Sequence, residues 1–156
     1  MKEKDKHIMV IDDDEDDRKL FCRALQQVSN NVGCLRASNG KDALDYLTDG
    51  SKAVPEVIFL DINMPVMTGW EFLTKIKLIE RVKNIPVVMF STSSNKRDIV
   101  IAYDLGAESY CIKPDEPEEL TNILYLITQH IGNNLRTFLN SGLASKYFHS
   151  PSKLNF

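Results

Sequence analysis

The stretch VIFLDINMPVMTG, residues 57–69, decides the fold. Four apolar residues run without alternation into Asp61, and Pro65 and Gly69 then interrupt the chain before a helical pattern begins. A strand with no polar–apolar alternation is buried on both faces, which suits a parallel sheet covered by helices. Similar runs recur at His7–Ile11, Cys34–Ser38, Val87–Phe90 and Tyr110–Ile112. Between them, Leu20, Phe21, Ala24, Leu25 and Val28 repeat as one helix face, and Leu120, Ile123, Leu124, Ile127 and Ile131 as another. Weaker helical spacing covers 41–49, 69–81 and 96–105, with Gly33, Gly40, Gly50, Pro55, Pro86, Gly106 and Pro117 at the joints. Successive β-then-α units of this kind predict an α/β domain with helices on both faces of a parallel sheet.

The bulk properties fit. A chain of 156 residues is long enough for one well-buried core. No apolar run approaches the roughly 18 residues that cross a bilayer, and MKEKDKHIMVIDDD lacks the apolar core of a signal peptide. The net charge of −3 gives no basic face for nucleic acid. Cys22, Cys34 and Cys111 show no metal-binding spacing, and an odd count without a secretion signal predicts reduced thiols in a cytoplasmic protein. The repeats end near Ile131, so residues 1–131 read as the domain. Residues 132–156 read as an extension, one short amphipathic helix on Leu135, Phe138, Leu139 and Leu143, then a tail.

The residues just past the strands carry the chemistry. The first strand ends in Asp12 and Asp13, the third in Asp61, the fourth in Ser91 and the fifth in Lys113. Ligands of open α/β sheets bind beyond the carboxyl ends of the strands, so these groups share one rim. Carboxylates held close repel one another unless a cation offsets them. An oxygen-only set suits Mg²⁺, or Mn²⁺, and such a cation beside an amine and a hydroxyl suits a phosphoryl group. Asp14 to Asp17 read differently, as a cap and first-turn acids of the first helix. Ser94 or Asn95 reads as the cap of the fourth helix. An EF-hand is excluded, because Asp17 stands where the loop needs Gly and Arg23 where it needs Glu.

With VIDDD at 10–14, DINMPVMTG at 61–69, IPVVMFSTS at 85–93 and GAESYCIKP at 106–114, the chain resembles the receiver domain of two-component response regulators. The resemblance implies a flavodoxin-like, doubly wound sheet of order 2-1-3-4-5. It implies that Asp61 accepts a phosphoryl group from a histidine kinase or phosphotransfer protein. Asp13 and the Asn63 backbone carbonyl would bind Mg²⁺ beside Asp61, with Asp12 acting mainly through water. Ser91 resembles the switch hydroxyl, Lys113 the lysine that meets the phosphoryl oxygens, and Tyr110 the aromatic that moves inward with the switch. The Lys113–Pro114 bond would be cis. Such a stand-alone receiver would act by contact with a downstream protein partner or by phosphoryl relay. The excess apolar residues of the fourth helix (Ile99, Val100, Ile101, Ala102, Leu105), with Tyr125 and Leu126 of the fifth, predict a face for that partner or for a homodimer through the fourth and fifth units.

Two other classes compete. A haloacid-dehalogenase-like phosphohydrolase also uses an Asp nucleophile and Mg²⁺ at strand ends, but needs a second acid where this chain has Asn63. An interaction module without phosphorylation would leave the rim carboxylates unexplained.

Overall fold

The computed structural model describes residues 4–151; the first three residues, and the last five of the extension read from the sequence, lie outside the described residues. The element order is β1 (Lys6–Ile11), α1 (Glu15–Val28), β2 (Val32–Ala37), α2 (Gly40–Thr48), β3 (Val57–Leu60), α3 (Gly69–Ile76), β4 (Val87–Ser91), α4 (Lys96–Asp104), β5 (Ser109–Ile112), α5 (Pro117–His130), α6 (Leu135–Leu139) and β6 (Phe148–His149). The sheet order is β2-β1-β3-β4-β5-β6, parallel except for the antiparallel β5–β6 pair. The first five strands follow the order that the resemblance implied, and β6 is an addition.

Period-two geometry, with a core on each face, explains the unbroken apolar runs of the central strands. Ile8, Val10, Val57, Phe59, Val88 and Phe90 face one core, shared with α1 and α5. Met9, Ile11, Ile58, Leu60, Val87 and Met89 face the other, shared with α2, α3 and α4. On the first face Phe21, Phe59 and Phe90 meet edge to face, with ring centroids 5.1–5.9 Å apart. Among the described residues, no helix is long and apolar enough to cross a membrane.

The helix starts follow capping chemistry. Asp14 Oδ1 accepts from the Asp17 N–H at 3.0 Å, and Glu15, Asp16 and Asp17 stand in the first turn, where the dipole favours acids. Asn95 caps α4 through the Arg97 N–H at 2.9 Å. Helix α3 stops at Ile76, not near residue 81, because the chain turns back to bury Val82 and Ile85. Leu20, expected on the buried face of α1, is 45% exposed; Phe21, Cys22, Ala24 and Leu25 form that face.

Three further expectations change. Cys22 and Cys34 are not free thiols but a disulfide, with Cα atoms 5.6 Å apart; Cys111 alone is free and buried. The crossover helix α1 lies over the face toward which Cys34 points, and sequence spacing cannot display that approach. The Lys113–Pro114 bond is trans, the form favoured by about 0.5–1 kcal/mol before proline. Finally, β5 is not an edge strand. Beyond α6 the chain makes a 3-10 turn at Gly142–Ala144 and returns as β6, pairing Tyr110 with His149 and Cys111 with Phe148. Phe138, Leu139, Ala144 and Phe148 join the α1–α5 core, so the extension is packed onto the domain. On the α5 side, Leu126 and Tyr147 both pack against that core, and from α4 Tyr103 Oη donates to the His149 carbonyl at 3.1 Å.

Candidate functional site

The carboxyl ends of β1, β3, β4 and β5 open on one rim, and the chain leaves each strand there with a polar residue. Asp12 follows β1 and is almost fully buried. Its N–H donates to the Ala37 carbonyl at the end of β2 at 3.1 Å, its Oδ1 accepts from the Asp14 N–H at 3.0 Å, and its carbonyl accepts from the Arg18 guanidinium at 2.7 Å. Asp61 follows β3, also buried, with Oδ1 accepting from the Ile62 N–H at 2.9 Å. Asp13 is exposed beside them. Carboxylate oxygens of Asp12, Asp13 and Asp61 lie within 4.8 Å of one another.

Lys113 enters from the end of β5, its own N–H fixed on the Ser91 carbonyl at 2.8 Å. Its Nζ lies 2.6 Å from Asp12 Oδ2, 3.0 Å from Asp17 Oδ2 and 3.8 Å from Asp61 Oδ2. Burial opposes the lysine's charge, but the bonds to Asp12 and Asp17 and the charge on Asp61 outweigh it and raise its pKa above the ordinary value. For Asp61 the balance runs the other way. Burial, reinforced by Asp12 and Asp13, outweighs Lys113 and the Ile62 N–H and raises the carboxyl from 3.8 to about 6. One ammonium among several carboxylates leaves a negative excess, and the donors are all oxygens. That set fits a hard divalent cation.

The loop after Asp61 is shaped by close approach. A Cβ on Gly69 would stand 2.2 Å from the Asp61 carbonyl oxygen, so glycine there lets α3 begin against the strand end. The Gly69 N–H donates to the Ile62 carbonyl at 2.7 Å. Asn63 is exposed in this loop. Val66 adopts φ +70°, a left-handed conformation unfavourable to a β-branched residue, while 82% exposed.

On the β4–β5 side, Ser91 is buried and its Oγ accepts from the Ser93 N–H at 3.1 Å. Tyr110 is fully buried on the α4 face, its hydroxyl donating to the Ser93 carbonyl at 2.9 Å. Burial raises its pKa, against the opposing hydrogen-bond influence of the Ser91 and Ser93 side chains. The rim therefore gathers Asp12, Asp13, Asp61 and Lys113 directly, while Ser91 and Tyr110 adjoin through the loop after β4. Two residues were missed by sequence reasoning. Asp17, read as a first-turn acid, pairs with Lys113, and Arg18 holds the Asp12 backbone. The usable signal was helical spacing, which returns Asp17 and Arg18 to the side of Asp14 one turn later.

Comparison with known proteins agrees with this geometry: residues 8–125 match the response regulator receiver domain. The chain belongs to that family. Among relatives, it is 34% identical over 128 residues to the probable methanogenesis regulatory protein FilR2 of Methanothrix harundinacea, covering 79% of this chain and 81% of that one. It is 33% identical to the two-component response regulator ORR5 of Oryza sativa subsp. japonica, covering 75% and 84%. Among solved structures, the phosphorylated cyanobacterial phytochrome response regulator RcpA superposes with a TM-score of 0.72 at 32% identity, covering 81% of this chain and 93% of that one. The Mn²⁺-bound form of response regulator Rcp1 gives 0.70 at 27% identity, covering 80% and 92%. This receiver is thus a two-component phosphoacceptor signalling domain and not a phosphohydrolase of the rival class.

Proposed function

We propose that this receiver takes a phosphoryl group on Asp61 from a phosphohistidine in a kinase or phosphotransfer protein, in the cytoplasm, and passes the signal to a downstream protein. The observation that carries it is the convergence of three carboxylates within 4.8 Å, with Lys113 reaching both Asp12 and Asp61. Asp12, Asp13, Asp61 and the Asn63 backbone carbonyl would hold Mg²⁺ or Mn²⁺. When bound, the cation would offset the carboxylates and screen the incoming phosphoryl oxygens.

The chain's own residues supply the rest. A carboxylate oxygen of Asp61 attacks phosphorus, the phosphorus–nitrogen bond breaks, and the imidazole leaves with its electron pair and gains a proton. Lys113, now held by Asp12 and Asp17, meets the phosphoryl oxygens, and the Ser91 hydroxyl donates to another. Drawing Ser91 toward the acceptor disturbs the loop on which Tyr110 Oη rests through the Ser93 carbonyl. The new contacts bias a two-state equilibrium of the β4–α4 and β5–α5 region, whose exposed Tyr125 marks the face offered to a partner or a second copy.

Incubation of the full chain with acetyl phosphate and Mg²⁺, followed by intact-mass measurement, tests this reading. The wild type gains one phosphoryl group and Asp61→Asn gains none. Equal gain in the two proteins would remove Asp61 as the acceptor, and multiple turnover of phosphomonoesters would restore the hydrolase reading.

A further inference from the structure

We propose that Cys22 and Cys34 form a reversible thiol–disulfide switch that tightens or loosens the pocket around Asp12, an inference that rests on the Asp61 reading above. The pair joins the two elements that hold Asp12. Cys22 lies one helical turn beyond Arg18 on α1, and Arg18 binds the Asp12 carbonyl at 2.7 Å. Asp17, next to Arg18, binds Lys113 at 3.0 Å. Cys34 lies on β2, three residues before Ala37, whose carbonyl accepts the Asp12 N–H at 3.1 Å. The cross-link thus fastens α1 to β2 beneath the residue on which both converge.

Access distinguishes this pair from an inert staple. Cys34 is half-buried on the outermost strand, at the margin of the α1–α5 core, and Cys22 is 8% exposed. Cys111, in contrast, is fully buried, and burial pushes its thiol far above the ordinary range, so it does not compete. Oxidation balances with a hydroperoxide. The Cys34 thiolate attacks the terminal peroxide oxygen, the oxygen–oxygen bond breaks, and an alcohol or water leaves with a proton. The Cys22 thiolate then displaces water from the resulting sulfenic sulfur and forms the disulfide. Two electrons pass to the peroxide. A dithiol returns them by exchange, leaving two thiols and its own disulfide.

The test uses the full chain, oxidised by hydrogen peroxide or reduced by dithiothreitol, beside Cys22→Ser and Cys34→Ser. Alkylation in denaturant followed by mass measurement counts free thiols, calorimetry gives Mg²⁺ affinity, and acetyl phosphate gives the labelling rate. Oxidised protein is expected to show one free thiol, bind Mg²⁺ about fivefold more tightly than reduced protein, as a modest preorganising tether allows, and label faster. Both serine variants should keep the reduced-form values under either treatment. Three free thiols after peroxide, or equal Mg²⁺ affinity and labelling in the two redox forms, overturn the switch and leave the Asp61 reading intact. No labelling in either form overturns the acceptor reading and the coupling with it.

Discussion

At the scale of single residues, Asp61 shows how the pocket trades stability for chemistry. With its carboxyl raised to about 6 from 3.8, folded metal-free protein holds a proton that the unfolded chain has lost between those values. Stability without metal therefore falls as pH rises through that window, by at most about 3 kcal/mol for a shift of this size. Urea denaturation in EDTA from pH 4 to 7 should show that decline, and Asp61→Asn should flatten it and be more stable than wild type at pH 7. A steeper decline in the variant would assign the effect elsewhere. Val66 is a separate case of local strain, exposed and left-handed, so no packing compensates it. Asparagine tolerates that conformation, and Val66→Asn should raise stability by about 1 kcal/mol.

At the scale of elements, adjacent acids at the start of α1 do different work. Asp14 closes the helix, so Asp14→Ala should cost about 1 kcal/mol while phosphoryl uptake persists. Asp13 is exposed and caps nothing, so Asp13→Ala should leave metal-free stability nearly unchanged and abolish any rise in thermal midpoint that the proposed Mg²⁺ site would give by binding only the folded state. A thermal melt of each variant with and without Mg²⁺ separates the roles. The junction of β3 and α3 is tighter. Because a methyl group at residue 69 would collide with the Asp61 carbonyl, Gly69→Ala should displace Asp61 and lower both stability and labelling rate.

At the scale of the molecule, residues beyond α5 complete the domain. Arg136 Nε pairs with Glu108 at 3.3 Å, Asn140 donates to the same carboxylate at 3.2 Å, and Phe138 stacks on His130 with centroids 4.0 Å apart. These contacts hold β6 over the edge of β5, the strand that carries Tyr110 and leads to Lys113. Phe148, fully buried, anchors that cover. Phe148→Ala should cost about 3–5 kcal/mol in urea denaturation and, by loosening β6, expose an unpaired strand edge. Sedimentation should then show concentration-dependent self-association where the wild type shows less.

The sequence by itself determined the α/β class, the two-sided burial of the strands, and the rim positions of Asp12, Asp13, Asp61, Ser91 and Lys113. Periodicity and punctuation are local properties, and strand ends in a parallel sheet face one way, so position along the chain was enough. The disulfide, the Asp17–Lys113 pair, the Arg18 bond to Asp12 and the sixth strand were decided only by the tertiary structure. Each joins groups on different elements, or sets a short segment against an edge, and such meetings depend on how helices lie across the sheet. Helical spacing sets Asp17 and Arg18 on the side of Asp14, but spacing within one element carries no record of the distance to a group on another.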